Sequence, residues 1–287
     1  MYRKIITALL MAQLIVATIR AAEPQRPPVW GIAKMTFLVS SMDMAREYYG
    51  RFLGFAEAFS YPSDLGTVVS FKVNDRQFLE FIEDKDAKEK TRLVSLSLET
   101  ESVSEMHSYL ISRGLSPTEP KPDGAGNEAF SVQDSWGNVI EFVDLNANGL
   151  HRQSRGKFLS ETRISSRIHH AGLYSGKLDE NDPFWAGIMQ CREIVRYPLD
   201  KNEAGVIQYL GLPECTENIE HYSPCDRNFS HPCLLVDDMQ DAIYTLKERR
   251  RDQRLARPSI GRTKRWLLNL LTPDGTRVEF TEAFCIK

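Results

Sequence analysis

None of the five cysteines, Cys191, Cys215, Cys225, Cys233 and Cys285, forms a C-x-x-C pair, so a zinc knuckle or a thioredoxin-type redox motif has no support. Net charge is nearly absent as well. The 36 basic and 39 acidic side chains leave −3, which gives bulk electrostatics no reason to favour nucleic acid or an anionic membrane as a partner. The apolar run over residues 5–19, broken by Thr7, Gln13 and Thr18, is short for a membrane span. It follows Arg3 and Lys4 and leads through Ala21-Ala22 into a polar, proline-rich stretch. That layout is a secretory signal peptide over residues 1–22, with a cut after Ala21 fitting better than one after Ala22 because of Arg20; an uncleaved anchor is the alternative. The expectation is an exported protein, periplasmic or extracellular, with no stable membrane partner after cleavage. Its cysteines would meet an oxidising environment, where an odd count leaves at least one unpaired and Cys215 and Cys225, flanking a polar loop, could bridge.

The 287 residues suffice for two domains with proper cores, and 42% hydrophobic with 26% charged residues is a soluble globular composition. Composition and alternation predict a strand over 32–39. Met42, Ala45, Tyr49, Phe52 and Leu53 recur at helical spacing and stop at Gly54. Strands over 68–73 and 78–83 follow, then a charge run over 85–92 expected as a solvated loop. A strand over 93–98, a helix over 103–112 and a hairpin around Ser135-Trp136-Gly137-Asn138 complete the first half.

The order then repeats: strand 168–175, short helix 183–189, strand 206–210, strand 232–236, helix 239–250. A closing hairpin turns at Thr272-Pro273-Asp274-Gly275. The same 48-residue spacing separates Leu93 from Glu141 and His231 from Glu279. Such self-similarity argues for duplicated modules over 30–147 and 167–285, joined by a linker over 148–166. In the last strand Glu279 points opposite to Val278 and Phe280.

Three stretches then resemble a known superfamily. They are Tyr48-Tyr49-Gly50-Arg51-Phe52-Leu53-Gly54-Phe55, Val236-Asp237-Asp238-Met239 ahead of a helix, and Pro273-Asp274-Gly275-Thr276-Arg277-Val278-Glu279. The chain resembles the vicinal oxygen chelate proteins, which include glyoxalase I, extradiol ring-cleaving dioxygenases, and fosfomycin- and bleomycin-resistance proteins. The resemblance implies an α+β fold of two tandem modules. Each would pair two βαβββ units into a cup-shaped eight-stranded sheet with two helices outside.

It also implies metal ligands at four places. In the second module these hold His170, approximately Gln208, His231 and Glu279, so the set looks like a 2-His-1-carboxylate triad. His169 should face away from His170 by strand alternation. The first module holds Lys34, Glu80, Leu93 and Glu141 at those places; the Lys34 ammonium would replace the ion and pair with Glu141 and Glu80. Asn269 stands where extradiol enzymes carry a tyrosine, ten residues ahead of the glutamate ligand. His221 lies in a stretch that is either a loop supplying a catalytic acid/base or a surface turn. Tyr209, Asn269 and one of Arg262 or Arg265 could line the cup and hold substrate, the arginine through an anionic group.

The function so implied is an exported enzyme with one divalent metal ion, Fe(II) first, with zinc, manganese or nickel as alternatives. Its partner would be a small bidentate oxygen substrate. Ring-cleaving dioxygenase is the nearest analogue. A glyoxalase-like lyase or isomerase, or a non-catalytic binding protein, are the other readings.

Overall fold

The computed structural model describes residues 23–176, 178, 182–198, 206–250 and 255–284, so the signal-peptide stretch and Cys285 lie outside the described residues. Two eight-stranded sheets carry the fold. The first comprises β1 (Val29–Val39), β2 (Ala56–Ser63), β3 (Gly66–Lys72), β4 (Phe78–Glu83), β5 (Leu93–Thr100), β6 (Lys121–Pro122), β7 (Glu128–Gln133) and β8 (Val139–Asp144). The second comprises β9 (Arg167–Tyr174), β10 (Arg192–Pro198), β11 (Val206–Gly211), β12 (Asn218–Ser223), β13 (His231–Val236), β14 (Ser259–Ile260), β15 (Trp266–Leu271) and β16 (Arg277–Glu282). Strand order is 2-3-4-1-5-8-7-6 in the first sheet and 10-11-12-9-13-16-15-14 in the second, the same topology twice. The predicted α+β fold of duplicated βαβββ units is therefore present. Strands β2, β6, β10, β12 and β14, absent from the composition-based reading, complete it.

Three of the helices start where a side chain satisfies a free amide group. Ser41 caps Met42–Ala45, which winds on as a π-helix over Arg46–Phe52. Ser102 caps Val103–Ser112, and Asp238 caps Met239–Arg249 by accepting from Gln240 and Asp241. Gly54, at φ +80, ends the first helix in a conformation a side chain resists. The apolar faces of both sheets and their helices merge into one core that crosses between the modules, with Trp185, Tyr49 and Phe280 fully buried in it.

The two closing turns are exchanged. Asp274 of the second module accepts from the Ser40 backbone of the first at 3.0 Å, and Arg92 reaches Thr276 Oγ1 at 2.8 Å. In mirror fashion, Asn138 of the first module donates to the Tyr174 carbonyl at 2.8 Å, and Asp134 accepts from Trp185 Nε1 at 3.2 Å. Arg92 is thus buried between modules, correcting the solvated loop expected for the end of the 85–92 run. Cys191, Cys215, Cys225 and Cys233 are all free thiols, so Cys215 and Cys225 do not bridge.

Candidate metal centre

In-register strands bring distant residues together on the concave face of the second sheet. Cys233 pairs with His170 on one side and Glu279 on the other. One step along, Gly172 pairs with both His231 and Glu220, and Glu220 with Tyr209. Gly172 has to be small: a Cβ there would lie 2.1 Å from His231 Cε1, so the imidazole occupies the space the glycine leaves.

Four side chains converge there. His170 Nε2 lies 3.5 Å from Glu279 Oε1 and 3.6 Å from Glu220 Oε2. His231 Nε2 lies 3.3 Å from Glu220 Oε2 and 3.9 Å from Glu279 Oε2. All four residues are buried, and each has an atom with no hydrogen-bond partner: His170 Nδ1 and Nε2, Glu220 Oε2, His231 Nε2 and Glu279 Oε1. Buried polar groups are normally paired, because an orphan forfeits its hydration.

The other atoms of three of these groups are anchored. His231 Nδ1 donates to the Phe229 carbonyl at 2.7 Å, so its proton sits there and the Nε2 lone pair faces the centre. Tyr209 donates to Glu220 Oε1 at 2.6 Å, and Arg277 donates to Glu279 Oε2. Burial pushes His231 below its usual pKa, toward the neutral form that ligates. Burial opposes ionisation of Glu220, but the two imidazoles beside it outweigh that and hold its carboxyl well below the usual range. Two imidazoles and two carboxylates, each with a bare donor atom, are what a borderline divalent ion requires, so these residues fit the metal that the fold implies.

The structure brings His170, His231 and Glu279 together and adds Glu220, which the sequence reading passed over for Gln208. Gln208 points to the other face of β11 from Tyr209 and donates to Glu193 at 2.7 Å. His221 alternates away from Glu220 and is fully buried, its ring 4.7 Å from Trp136 and 6.2 Å from Trp185, with neither nitrogen partnered. It packs the module interface and does not reach the cup, which corrects its assignment as acid/base. His169 does face the cup, against the alternation argument. Cys233 pairs with His170 and Leu234 with Ile168, so His169 is the extra residue of a β-bulge.

Beside the centre lies a cavity of about 320 Å³ whose lining includes His169, His170, Ile194, Tyr209, Arg265 and Leu267. Arg265 lies 2.9 Å from His169 Nε2, and burial pushes the His169 pKa down to about 3. Arg262 is instead exposed at Pro198, donating to its carbonyl at 2.9 Å. Asn269 shares the cup face but is held by Arg277 Nε at 2.6 Å.

The first module repeats the architecture with a different filling. Its bulge recurs, with Lys34 opposite Ser97 and Ile32 opposite Leu98. Lys34 takes the place of His170, and its ammonium lies 3.1 Å from Glu141, 3.5 Å from Asp123 and 3.6 Å from Glu80. Glu80 also bonds His151 at 2.9 Å and the Tyr61 hydroxyl. Thr36 pairs with Ser95 as Gly172 pairs with His231, so the counterpart of His231 is Ser95, two residues from the Leu93 that equal spacing selects. A cavity of about 860 Å³ lies in this cup, but a cation of the chain already occupies the ion's place.

The comparisons with known proteins agree with this fold. Residues 31–142 match the family model described as Glyoxalase/Bleomycin resistance protein/Dioxygenase superfamily. The chain has the two-module vicinal oxygen chelate fold. Among solved structures it is similar to 2,3-dioxygenase LapB from Pseudomonas sp. KL28, with TM-score 0.69 and 15% identity over 90% of this chain and 94% of that one. It is also similar to homoprotocatechuate 2,3-dioxygenase from Arthrobacter globiformis, with TM-score 0.66 and 14% identity over 92% and 84%. A variant of the Brevibacterium fuscum enzyme gives TM-score 0.66 and 15% identity over 91% and 73%. No curated protein sequence matches the chain.

Proposed function

We propose that the cup of the second module is the active site of a divalent-metal-dependent enzyme. Its substrate is a small molecule presenting two neighbouring oxygens, and its chemistry is proton transfer of the lyase or isomerase class. Glu220 carries this reading. His170, Glu220, His231 and Glu279 would hold the ion. A bound ion would polarise the two substrate oxygens as a Lewis acid. A fourth protein donor would take the place that a three-donor triad leaves for dioxygen, which favours chemistry that needs no oxygen.

Glu220 would also act as the base toward a substrate carbon brought against the ion; its partner Tyr209 lines the cavity, while Glu220 itself is buried. The Tyr209 hydroxyl on its Oε1 fixes the carboxylate, and burial together with that carboxylate raises the Tyr209 pKa well above its usual value, so Tyr209 remains the donor. Ile194, Val195 and Leu267 give the cavity apolar walls, and Arg265 offers a positive charge to an anionic substituent. A ring-cleaving dioxygenase using iron(II) is the second reading, favoured by the fold shared with 2,3-dioxygenases along nine-tenths of the chain.

The test compares protein loaded with manganese or with iron(II). Under argon, solvent deuterium should enter α-hydroxycarbonyl substrates, and Glu220→Gln should abolish the exchange. Oxygen uptake matched to catechol loss would select the dioxygenase, and neither activity would leave a binding protein. Export is part of the proposal, supported by the layout of residues 1–22. Mass spectrometry of protein from its native host should find a start at Ala22 or Glu23, and an intact Met1 in the soluble fraction would contradict it.

A further inference from the structure

Cys233 has no role in the centre as described, yet it stands in the middle of it. On β13 it lies two residues from His231 and therefore on the same face. Its cross-strand partners are His170 and Glu279, one on each side. The Cys233 sulfur and one donor atom each of His170 and Glu279 all lie within 4.8 Å of one another, and all three residues are buried. The second observation is the state of its neighbours: neither nitrogen of His170 nor Glu279 Oε1 has a partner.

In the first module the matching residue is Ser97, whose hydroxyl donates to Glu141 at 2.8 Å. If holding the carboxylate were the whole task, a hydroxyl would perform it better than a thiol, which is a weak donor. What sulfur adds is softness toward metal ions.

We propose that Cys233 makes this centre ambidentate. His170, Glu220, His231 and Glu279 form the nitrogen–oxygen ligand set, and His170, Cys233 and Glu279 form a sulfur-bearing set that captures thiophilic divalent ions such as zinc or cadmium. Because His170 and Glu279 belong to both sets, one ion excludes the other. Capture by the second set replaces the S–H bond with a metal–sulfur bond formed by the sulfur lone pair, and the proton leaves to solvent. The inference rests on the metal reading of the cup.

The experiment uses the whole chain, stripped with a chelator and titrated with cobalt(II) alone. Wild type should show visible ligand-field bands together with a near-ultraviolet thiolate-to-cobalt charge-transfer band. Cys233→Ser should keep the visible bands and lose the ultraviolet one, whereas Cys225→Ser and Cys191→Ser should keep both. Zinc affinity should fall at least about tenfold in Cys233→Ser while manganese affinity stays within about twofold. Ligand-field bands without a charge-transfer band in wild type overturn this inference alone, even if the serine variant fails to fold. A charge-transfer band that survives in folded Cys233→Ser also overturns it. No cobalt uptake by wild type overturns the metal reading with it.

Discussion

Lys34→Ala is the perturbation whose size follows most directly from the geometry. Lys34 is 3% exposed, and its ammonium is ringed by Glu141, Asp123 and Glu80. Deleting one partner of a buried ion pair costs about 3–5 kcal/mol, because the remaining charge is left unpaired in a poor solvent. Three carboxylates share this cation, so the upper half of that range is expected at pH 7. At about 2 °C per kcal/mol, the thermal midpoint should fall by about 8–10 °C in differential scanning calorimetry.

The pH dependence fixes the cause. Burial works against ionisation of Glu80, but Lys34 and then His151 outweigh it and bring its carboxyl down to about 2. A depressed carboxyl stabilises the fold above its unfolded pKa, and that contribution disappears as pH falls toward 2. For Lys34, burial is outweighed by Glu141 and Glu80, and its pKa is raised well above the usual value. That contribution is complete below the ordinary lysine range and is lost at more alkaline pH. The gap between wild type and Lys34→Ala should therefore be widest between about pH 5 and 10 and narrow toward pH 3. A loss below about 1 kcal/mol at pH 7, or a gap unchanged from pH 7 to 3, would refute the ion-replacement reasoning.

Two further outcomes are expected. Gly172→Ala places a methyl group against the His231 ring, so metal affinity should fall by about 10–100-fold with the far-ultraviolet circular dichroism unchanged; unchanged affinity would mean that His231 is not a ligand. His221→Phe removes two unpartnered ring nitrogens while keeping the contacts with Trp136 and Trp185, so urea titration should show stability unchanged or raised by about 1 kcal/mol, with metal content unaffected; a loss above that size would show that the ring has polar partners.

Much of the fold was legible because its signals are local. The turn at Pro273-Asp274-Gly275 and the helical spacing that stops at Gly54 each sit in a short window of sequence, and the order of elements read from such windows repeats. Of the four residues at the centre, His170, His231 and Glu279 could be named from the resemblance. Glu220 was missed because β12, Asn-Ile-Glu-His-Tyr-Ser, reads as a polar turn. Its cup face carries Asn218 and Glu220 and its core face Ile219 and His221, so a histidine interrupts the usual pattern of apolar-in and polar-out after a single apolar residue.

The facing of His169 depends on a one-residue bulge, and alternation is blind to bulges. Equal spacing selected Leu93 where strand register selects Ser95. Ser97 and Glu141 pair across β5 and β8 as Cys233 and Glu279 pair across β13 and β16, and the second connection is two residues longer.

A four-donor metal centre is proposed for the second module and none for the first. Its most direct test is the metal-to-protein ratio of untagged protein, measured by elemental analysis in wild type, Glu220→Ala and Gln208→Ala after equilibration with manganese. One ion per chain is expected for wild type and for Gln208→Ala, with most of it gone in Glu220→Ala. Full occupancy in Glu220→Ala, or no ion in wild type, would contradict the account.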